Sequence, residues 1–306
     1  LAVSTVLNIG LDLIFVPVLH WGVAGAAIAT VAAQLISTLG CFLYAFLKYP
    51  ELRLHREDWR ITRRDVTRHL IQGIPLGLQF SVLAIGIIVM QSVIVQFDTL
   101  GGEMVSNAAQ NGFGAANKLN NLLMTPLNGL GAAMTSFTAQ NLGAGDHARI
   151  RKGTVQALII VWTMCLISIA AGLLLSRGGG YLYIFLSPDK VTAETMRYGN
   201  TYLYVDLSLY LFLGFIFVVR NCVQGIGKPQ FVLGAGAAEL AARVSVCLLL
   251  PPLIAGGAVN SDAPRAAVYA LCFADPFAWM AADAVLLVPF LRNIMKMDYR
   301  YLKGTM

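Results

Sequence analysis

Eight long apolar runs, separated by short polar connections, dominate this sequence of 306 residues. A helix needs roughly 20 mainly apolar residues to cross a bilayer. The runs are continuous and do not alternate polar with apolar residues, so they favour membrane helices over the strands of a barrel. Charged residues make up 12% of the chain, about half of the roughly 25% typical of a soluble domain. The sequence therefore predicts an all-α membrane protein, a polytopic bundle whose spans have the approximate bounds 1–19, 22–47, 68–97, 106–142, 153–176, 197–224, 229–256 and 265–291.

Lysine and arginine are distributed unevenly between the connections. In an eight-span topology, fifteen of the 22 lie on one side of the membrane and four on the other. Cytoplasmic connections are enriched in these residues, so we expect a multi-pass protein of the plasma membrane with both ends of this chain in the cytoplasm. The fifteen residues are Lys48, Arg53, Arg56, Arg60, Arg63, Arg64, Arg68, Arg149, Arg151, Lys152, Lys228, Arg292, Lys296, Arg300 and Lys303.

Sequence signatures of catalysis are absent. The five cysteines are scattered singly, and neither a nucleophile elbow, a P-loop nor a zinc-protease motif occurs. We therefore expect no enzyme, no organic cofactor and no nucleic-acid partner; a metal site is neither predicted nor excluded.

Ionisable side chains inside the spans are the candidate functional residues, because charges in hydrocarbon are costly. Glu239 and Arg243 are four residues apart and share a helix face, so we interpret them as a structural pair. Lys118 and Asp275 have no partner in the adjacent turns, and we expect both to line a water-accessible pathway for substrate or ions. Asp206 is a further candidate, for which a capping role and a place in a polar cavity remain equally open.

Amide side chains form a second group of candidates. They would line a polar cleft, or they would join helices through hydrogen bonds. The residues placed in the pathway are Gln79, Asn117 and Asn121.

Three prolines inside the spans predict helix bends, because proline removes a hydrogen bond from the helix. They are Pro75, Pro126 and Pro276. Asp275 directly precedes Pro276, where the free carbonyl could bind a cation.

Four stretches, taken in order, resemble motifs of the multidrug and toxic compound extrusion (MATE) family. The sequence GAAMTSFTAQNLGAGDHARIRKG at 131–153 resembles the end of that family's eighth helix. Residues 8–34 resemble the passage from its fifth to its sixth helix. Gly73-Ile74-Pro75 is similar to the opening of the seventh helix, and RNCVQGIGKP at 220–229 to the end of the tenth. The four motifs together cover nearly the whole chain.

The resemblance implies a twelve-helix transporter with two six-helix lobes. This chain would be a fragment that holds helices five to twelve. Residues 1–47 would be the last two helices of the N-terminal lobe, 48–67 a basic cytoplasmic linker, 68–292 the C-terminal lobe and 293–306 a cytoplasmic tail.

The resemblance also implies a function: a monomeric antiporter that exports organic cations or drugs in exchange for sodium or protons by alternating access. Its partners would be membrane lipid and a small cationic substrate. Some branches of the family carry a glutamate eight positions after the proline of the seventh helix; here that position is Leu83, so we do not transfer this cation site. The alternatives are a flippase for lipid-linked oligosaccharides with the same fold and a membrane scaffold that transports nothing.

Overall fold

The computed structural model describes residues 2–50 and 61–296, and most of these residues are helical. The centre of the predicted linker and the end of the predicted tail lie outside the described residues. The helices are α1 Ala2–Phe15, α2 Gly22–Lys48, α3 Arg63–Gln96, α4 Ala108–Gly143, α5 His147–Ser176, α6 Leu182–Phe185, α7 Ala193–Ser208, α8 Tyr210–Gly225, α9 Pro229–Ala255, α10 Arg265–Cys272 and α11 Ala274–Pro289, after which Phe290–Met295 forms a π-helical turn.

Within the described residues, five helical segments are long and apolar enough to cross a membrane, and a sixth is added if the bent pair α7 and α8 counts as one span. The five are Gly22–Lys48, Arg63–Gln96, His147–Gly179, Pro229–Ala255 and Arg265–Met295. Helix α1 is apolar but shorter, and α4 is long but interrupted by Gly, Asn and Thr. The predicted helical membrane bundle is confirmed, whereas the count of eight spans stays a prediction.

A small hairpin, which the pattern of apolar runs does not predict, joins α3 to α4. Strands β1, Thr99–Leu100, and β2, Glu103–Met104, pair in antiparallel orientation. Gly101 and Gly102 form the turn with φ angles of 62° and 90°, which glycine adopts without strain.

Asp98 fixes the start of α4 from the base of this hairpin. Its fully buried carboxylate accepts hydrogen bonds from the backbone N–H groups of Ala109 (3.0 Å) and Gln110 (2.9 Å). Two of the free N–H groups at the helix N-terminus are thereby satisfied, and the negative charge lies at the positive end of the helix dipole.

Helix breaks do not all fall at proline. Helices α7 and α8 meet at Leu209 with a bend of 57°, and no proline is present there. Helices α3 and α4 continue through Pro75 and Pro126, so bends at these two residues stay a prediction. Pro276 lies in the first turn of α11, directly after the break that separates α10 from α11, where a missing N–H costs nothing.

The chain divides into two compact units, Leu1–Val66 and Thr67–Met306. In the first unit, α1 packs against α2, and the side-chain amide of Asn8 donates to the hydroxyl of Thr30 at 3.3 Å. The second unit contains the large buried core. The assignment of these units to the two lobes of a transporter stays a prediction.

In the second unit, α4 packs against α5, α7 and α8, and α9 packs against α10 and α11. The backbones of α4 and α7 approach most closely at Gly112 and Gly199. A Cβ on Gly112 would overlap the carbonyl oxygen of Thr195 and lie 2.9 Å from the amide nitrogen of Gly199. Because both residues lack a Cβ, the polar side chains further along the two helices come within hydrogen-bond distance.

Candidate functional site

A cavity of about 370 Å³ lies inside the second unit. We call it the polar cavity. Its walls come from α3, α4, α8, α9 and α11, with Tyr202 contributed by α7. The apolar and aromatic part of the lining includes Phe80, Leu83, Met124, Phe217 and Trp279, and the uncharged polar part includes Gln79, Asn117, Asn120, Asn121, Asn128, Asn221 and Gln224.

Four charged side chains line one side of the polar cavity and alternate in sign. We call this group the ionic chain; it consists of Arg220, Glu239, Arg243 and Asp275. Arg220 Nη2 lies 2.8 Å from Glu239 Oε2, Arg243 Nη2 lies 3.2 Å from Glu239 Oε1, and Arg243 Nε lies 2.8 Å from Asp275 Oδ1. No side chain of the group is more than 14% exposed. Charges in such a place require good pairing, because desolvation costs several kcal/mol per ion.

The hydrogen-bond network continues from Asp275 to α4 through uncharged groups. The Tyr202 hydroxyl donates to Asp275 Oδ2 at 3.0 Å and accepts from Asn117 Nδ2 at 3.3 Å. Asn121 Nδ2 donates to Asn117 Oδ1 at 2.8 Å. One connected network therefore joins α8, α9, α11, α7 and α4.

Asp206 lies behind the lining of the polar cavity, one turn after Tyr202 on α7. It is fully buried, and its Oδ2 accepts a hydrogen bond from Asn120 Nδ2 at 2.7 Å. The Tyr202 hydroxyl also lies close to this carboxylate, but Oδ1 has no hydrogen-bond partner of good geometry among the described residues. A buried carboxylate oxygen without a donor is costly, so this atom is a position at which a proton or a cation would be stabilising.

The structure brings most of the predicted site residues together. Asp275, Gln79, Asn117 and Asn121 line the polar cavity, and Asp206 adjoins it. Lys118 does not line the cavity. Its side chain is exposed, with Nζ 6.0 Å from the centre of the Phe185 ring in α6.

The interpretation of Glu239 and Arg243 as a structural pair captures one contact of a larger group. The two side chains do form an ion pair along α9. Each also has a partner on another helix, Arg220 on α8 for the glutamate and Asp275 on α11 for the arginine. Asp275 has no partner in its adjacent turns, as the sequence indicated, because its partners come from α7 and α9.

Two members of the network were not predicted from the sequence. Arg220 lies near the end of its span, where a long basic side chain can extend to the membrane surface, but its guanidinium contacts Glu239. Tyr202 precedes Asp206 by four residues, so the two share a face of α7, and that spacing was the available signal.

The side chains that could bind a metal ion are dispersed over the described residues. Within the described ranges, no group of three or more His, Cys, Asp or Glu side chains could hold a metal ion.

The helical membrane bundle and the charge-lined cavity inside it define a class of protein: a polytopic membrane protein that exposes polar groups within the depth of its helices. The sequence pattern of the family described as MatE matches residues 72–249, more than half of the chain. A protein of Bacillus subtilis (strain 168) named "Probable multidrug resistance protein YpnP" is 30% identical over 248 residues, which cover 76% of this chain and 49% of the relative. The chain belongs to the MATE family, whose members are transporters.

Other comparisons agree with this assignment. "Probable multidrug resistance protein YoeA" from the same organism is 25% identical over 235 residues, covering 74% of this chain and 48% of its own. The chain thus spans about half the length of these curated relatives. A solved structure described as the outward-facing conformation of a multidrug resistance MATE family transporter superposes with a TM-score of 0.77 at 20% identity, covering 95% of this chain and 60% of that one. A transporter of the MOP superfamily from Pyrococcus furiosus superposes with a TM-score of 0.76 at 21% identity, covering 97% and 62%. At these identities the superpositions establish the fold.

Proposed function

We propose that the full-length protein is a secondary active efflux transporter that exchanges sodium ions or protons for small organic cations by alternating access. The observation that carries this proposal is Asp206, a carboxyl group that is buried beside the polar cavity and has one unpartnered oxygen. A cation bound there would interact with this oxygen. Its release would leave the oxygen buried without a partner again, which is unfavourable in free energy. Both curated relatives are named as probable multidrug resistance proteins, which supports an efflux role.

Recognition of an organic cation would rest on aromatic faces and amide oxygens. The acids that line the polar cavity are already paired with arginine, whereas Trp279, Phe80 and Phe217 present rings to it. A cation over an aromatic face gains roughly 0.5–2 kcal/mol. We assign no role in charge preference to Lys118, which lies away from the cavity, or to Asp275, which lines the cavity but whose charge is balanced there by Arg243.

The alternatives fit the polar cavity less well. A flippase for lipid-linked oligosaccharides would call for an excess of positive charge, but the described lining contains two arginines and two acids. A scaffold would pair all its buried charges, and the free Oδ1 of Asp206 argues against that. We also propose that the protein works as a monomer in the plasma membrane with both ends of this chain in the cytoplasm, in accord with the distribution of Lys and Arg.

Efflux from proteoliposomes tests the proposal. The full-length protein is reconstituted, sodium and proton gradients are imposed separately, and efflux of a fluorescent organic cation is followed. We expect one of the gradients to drive efflux, and we expect Asp206→Asn to abolish that dependence. Asp262→Asn is the matched control, because Asp262 is exposed and its backbone N–H makes the local hydrogen bond. The proposal is wrong if neither gradient drives efflux, or if Asp206→Asn keeps the response of the parent protein.

A further inference from the structure

Arg243 differs from an ordinary ion-pair partner because its guanidinium contacts two carboxylates through two different nitrogens. Nη2 donates to Glu239 Oε1 at 3.2 Å, and Nε donates to Asp275 Oδ1 at 2.8 Å. The two acids lie on different helices, α9 and α11. The guanidinium therefore occupies the position between the two negative groups, where a small cation could otherwise contact both.

The backbone of α3 also packs against the Arg243 guanidinium. A Cβ on Gly86 would lie 3.0 Å from Arg243 Nη1 and 3.2 Å from its Cδ, closer than ordinary van der Waals contacts. The absence of a side chain at Gly86 thus leaves the space that the guanidinium fills. The Arg243 side chain is 6% exposed, so water has little access to it.

The ionisable groups around Arg243 come from α7, α9 and α11, with Cys272 of α10 and Arg220 of α8 next to them. Besides the two acids, Asp206 and Tyr202 of α7 interact electrostatically with this cluster, and Cys247 lies one turn further along α9. No other charged residue lines the polar cavity in the described part of the chain beyond Arg220, which contacts Glu239.

The carboxylate oxygens of Glu239 and Asp275 are all occupied, mainly by arginine. Each oxygen of Glu239 and of Asp275 accepts a hydrogen bond, three of the four from an arginine. A mobile cation that approached these carboxylates would have to displace a guanidinium from a fixed, desolvated geometry. Removal of one charge from a buried pair leaves its partner uncompensated, which is strongly destabilising.

We propose that Arg243 is a tethered cation. It holds the position between Glu239 and Asp275 that a mobile sodium ion or proton would otherwise take, and it keeps both acids from binding the exchanged ion. Arg243 would thus determine which carboxylates of the second unit are available to ions. This inference rests on the proposed function only in assuming that a mobile cation reaches the polar cavity; the binding behaviour that it predicts can be measured without transport.

Neutralising the arginine tests the idea directly. In Arg243→Gln the cavity lining carries one uncompensated negative charge, because the neutral glutamine side chain cannot balance the charge of either acid. We expect the variant to acquire one additional bound sodium ion, or one additional protonated carboxyl group, per protein. In Arg243→Gln/Asp275→Asn the charge balance is restored, and the additional ion or proton should be lost.

The measurements use purified full-length protein in detergent, in an Asp206→Asn background so that this carboxyl group does not contribute. Asp283 of α11, which interacts electrostatically with Arg220 and Glu239, is the same in all variants and cancels in the comparison. Binding of ²²Na⁺ counts sodium ions, and infrared difference spectroscopy counts protonated carboxyl groups. One additional sodium ion or one additional protonated carboxyl group per protein in Arg243→Gln, which is lost in the double variant, supports the proposal. No gain by either method, or an equal gain in the double variant, overturns it. Failure of ion-driven efflux in the parent would instead count against the proposed function, so the two outcomes are distinguishable.

Arg243→His provides the same test if the glutamine variant does not give monodisperse protein. At about pH 5 the imidazole carries a charge and can replace the guanidinium, whereas at about pH 8 it is neutral. The additional sodium ion, or the additional protonated carboxyl group, should be present at the higher pH and absent at the lower one. If neither count differs between the two pH values, the tethered-cation role is contradicted.

Discussion

Replacing Gly112 with alanine should separate α4 from α7 and thereby disturb the polar cavity from a distance. The new Cβ would overlap the carbonyl oxygen of Thr195 and lie 2.9 Å from the amide nitrogen of Gly199. Both obstacles are backbone atoms, which cannot rotate away as a flexible side chain does. The contact with the carbonyl oxygen must lengthen by about 1 Å to reach the roughly 3.3–3.6 Å of ordinary carbon–oxygen contacts, so the two helices must move apart by a large part of that distance.

The size of the destabilisation depends on two hydrogen bonds that join the same pair of helices one to three turns further along. Asn117 donates to the Tyr202 hydroxyl at 3.3 Å, and Asn120 donates to Asp206 at 2.7 Å. A separation of about 0.5 Å would bring the first contact beyond hydrogen-bond distance and lengthen the second. Overpacking costs about 1–3 kcal/mol, and weakening a hydrogen bond to a buried charged group adds about 1–2 kcal/mol. We expect a total destabilisation of about 2–5 kcal/mol.

Gly114 supplies a matched control in the same helix, two residues away. A Cβ there would meet no heavy atom within 4 Å, and alanine is favoured over glycine in a helix by roughly 1 kcal/mol. Gly114→Ala should therefore leave stability unchanged or raise it. The assay is thermal unfolding of the detergent-solubilised full-length protein, followed by the fraction that remains monodisperse after heating. Gly112→Ala should lower the midpoint by several degrees; a midpoint equal to that of Gly114→Ala would refute the close-packing argument.

Three further substitutions test the network and the start of α4. Asp98→Asn should destabilise the protein by about 1.5–3 kcal/mol, because an amide offers one acceptor oxygen to two N–H groups of α4; unchanged thermal unfolding would contradict the cap. Asn120→Leu removes the hydrogen bond to Asp206 and should weaken gradient-driven efflux in proteoliposomes. Tyr202→Phe should have a smaller effect in the same assay, since Asp275 keeps its bond to Arg243, and a larger effect than that of Asn120→Leu would reverse the ranking proposed here.

The helices themselves were predictable because each apolar run is continuous and ends at a polar or glycine-rich connection. The span predicted at 229–256 is observed as α9, Pro229–Ala255, and that at 22–47 as α2, Gly22–Lys48. The break at Leu209 was not predictable in this way. No proline or glycine occupies that position, and its neighbours Ser208 and Tyr210 are both compatible with a continuous helix, so the sequence there carries no clear local signal for a bend.

Contacts between residues on different helices could not be predicted from the sequence. Periodicity identifies pairs on one helix, such as Glu239 and Arg243, because they are four residues apart. It gives no information on contacts such as Arg243 with Asp275, which are 32 residues apart in the chain. The docking of α9 against α11 makes that contact, and docking depends on the shapes of both surfaces.

The exposure of Lys118 could have been inferred from helix geometry. The residues of α4 that line the polar cavity are Asn117, Asn120, Asn121, Met124 and Asn128, and their spacing of three or four residues places them on one face. Lys118 follows Asn117 by one residue and is therefore rotated by about 100° from it. If Asn117 faces a cavity, the lysine must point towards another surface.

The ionic chain is not the arrangement that stability alone would favour. Buried ion pairs can often be replaced by well-packed apolar side chains with no loss, or with a gain of about 1–4 kcal/mol. A bundle that only needed to hold α8, α9 and α11 together could do so with leucine and alanine, which are abundant elsewhere in these helices. The four charges instead line a cavity, next to a buried carboxyl with an unpartnered oxygen. Because charged residues in the depth of a membrane protein are costly and often mark substrate or ion pathways, their concentration around this cavity supports the proposal that they serve the cavity rather than the packing of the helices.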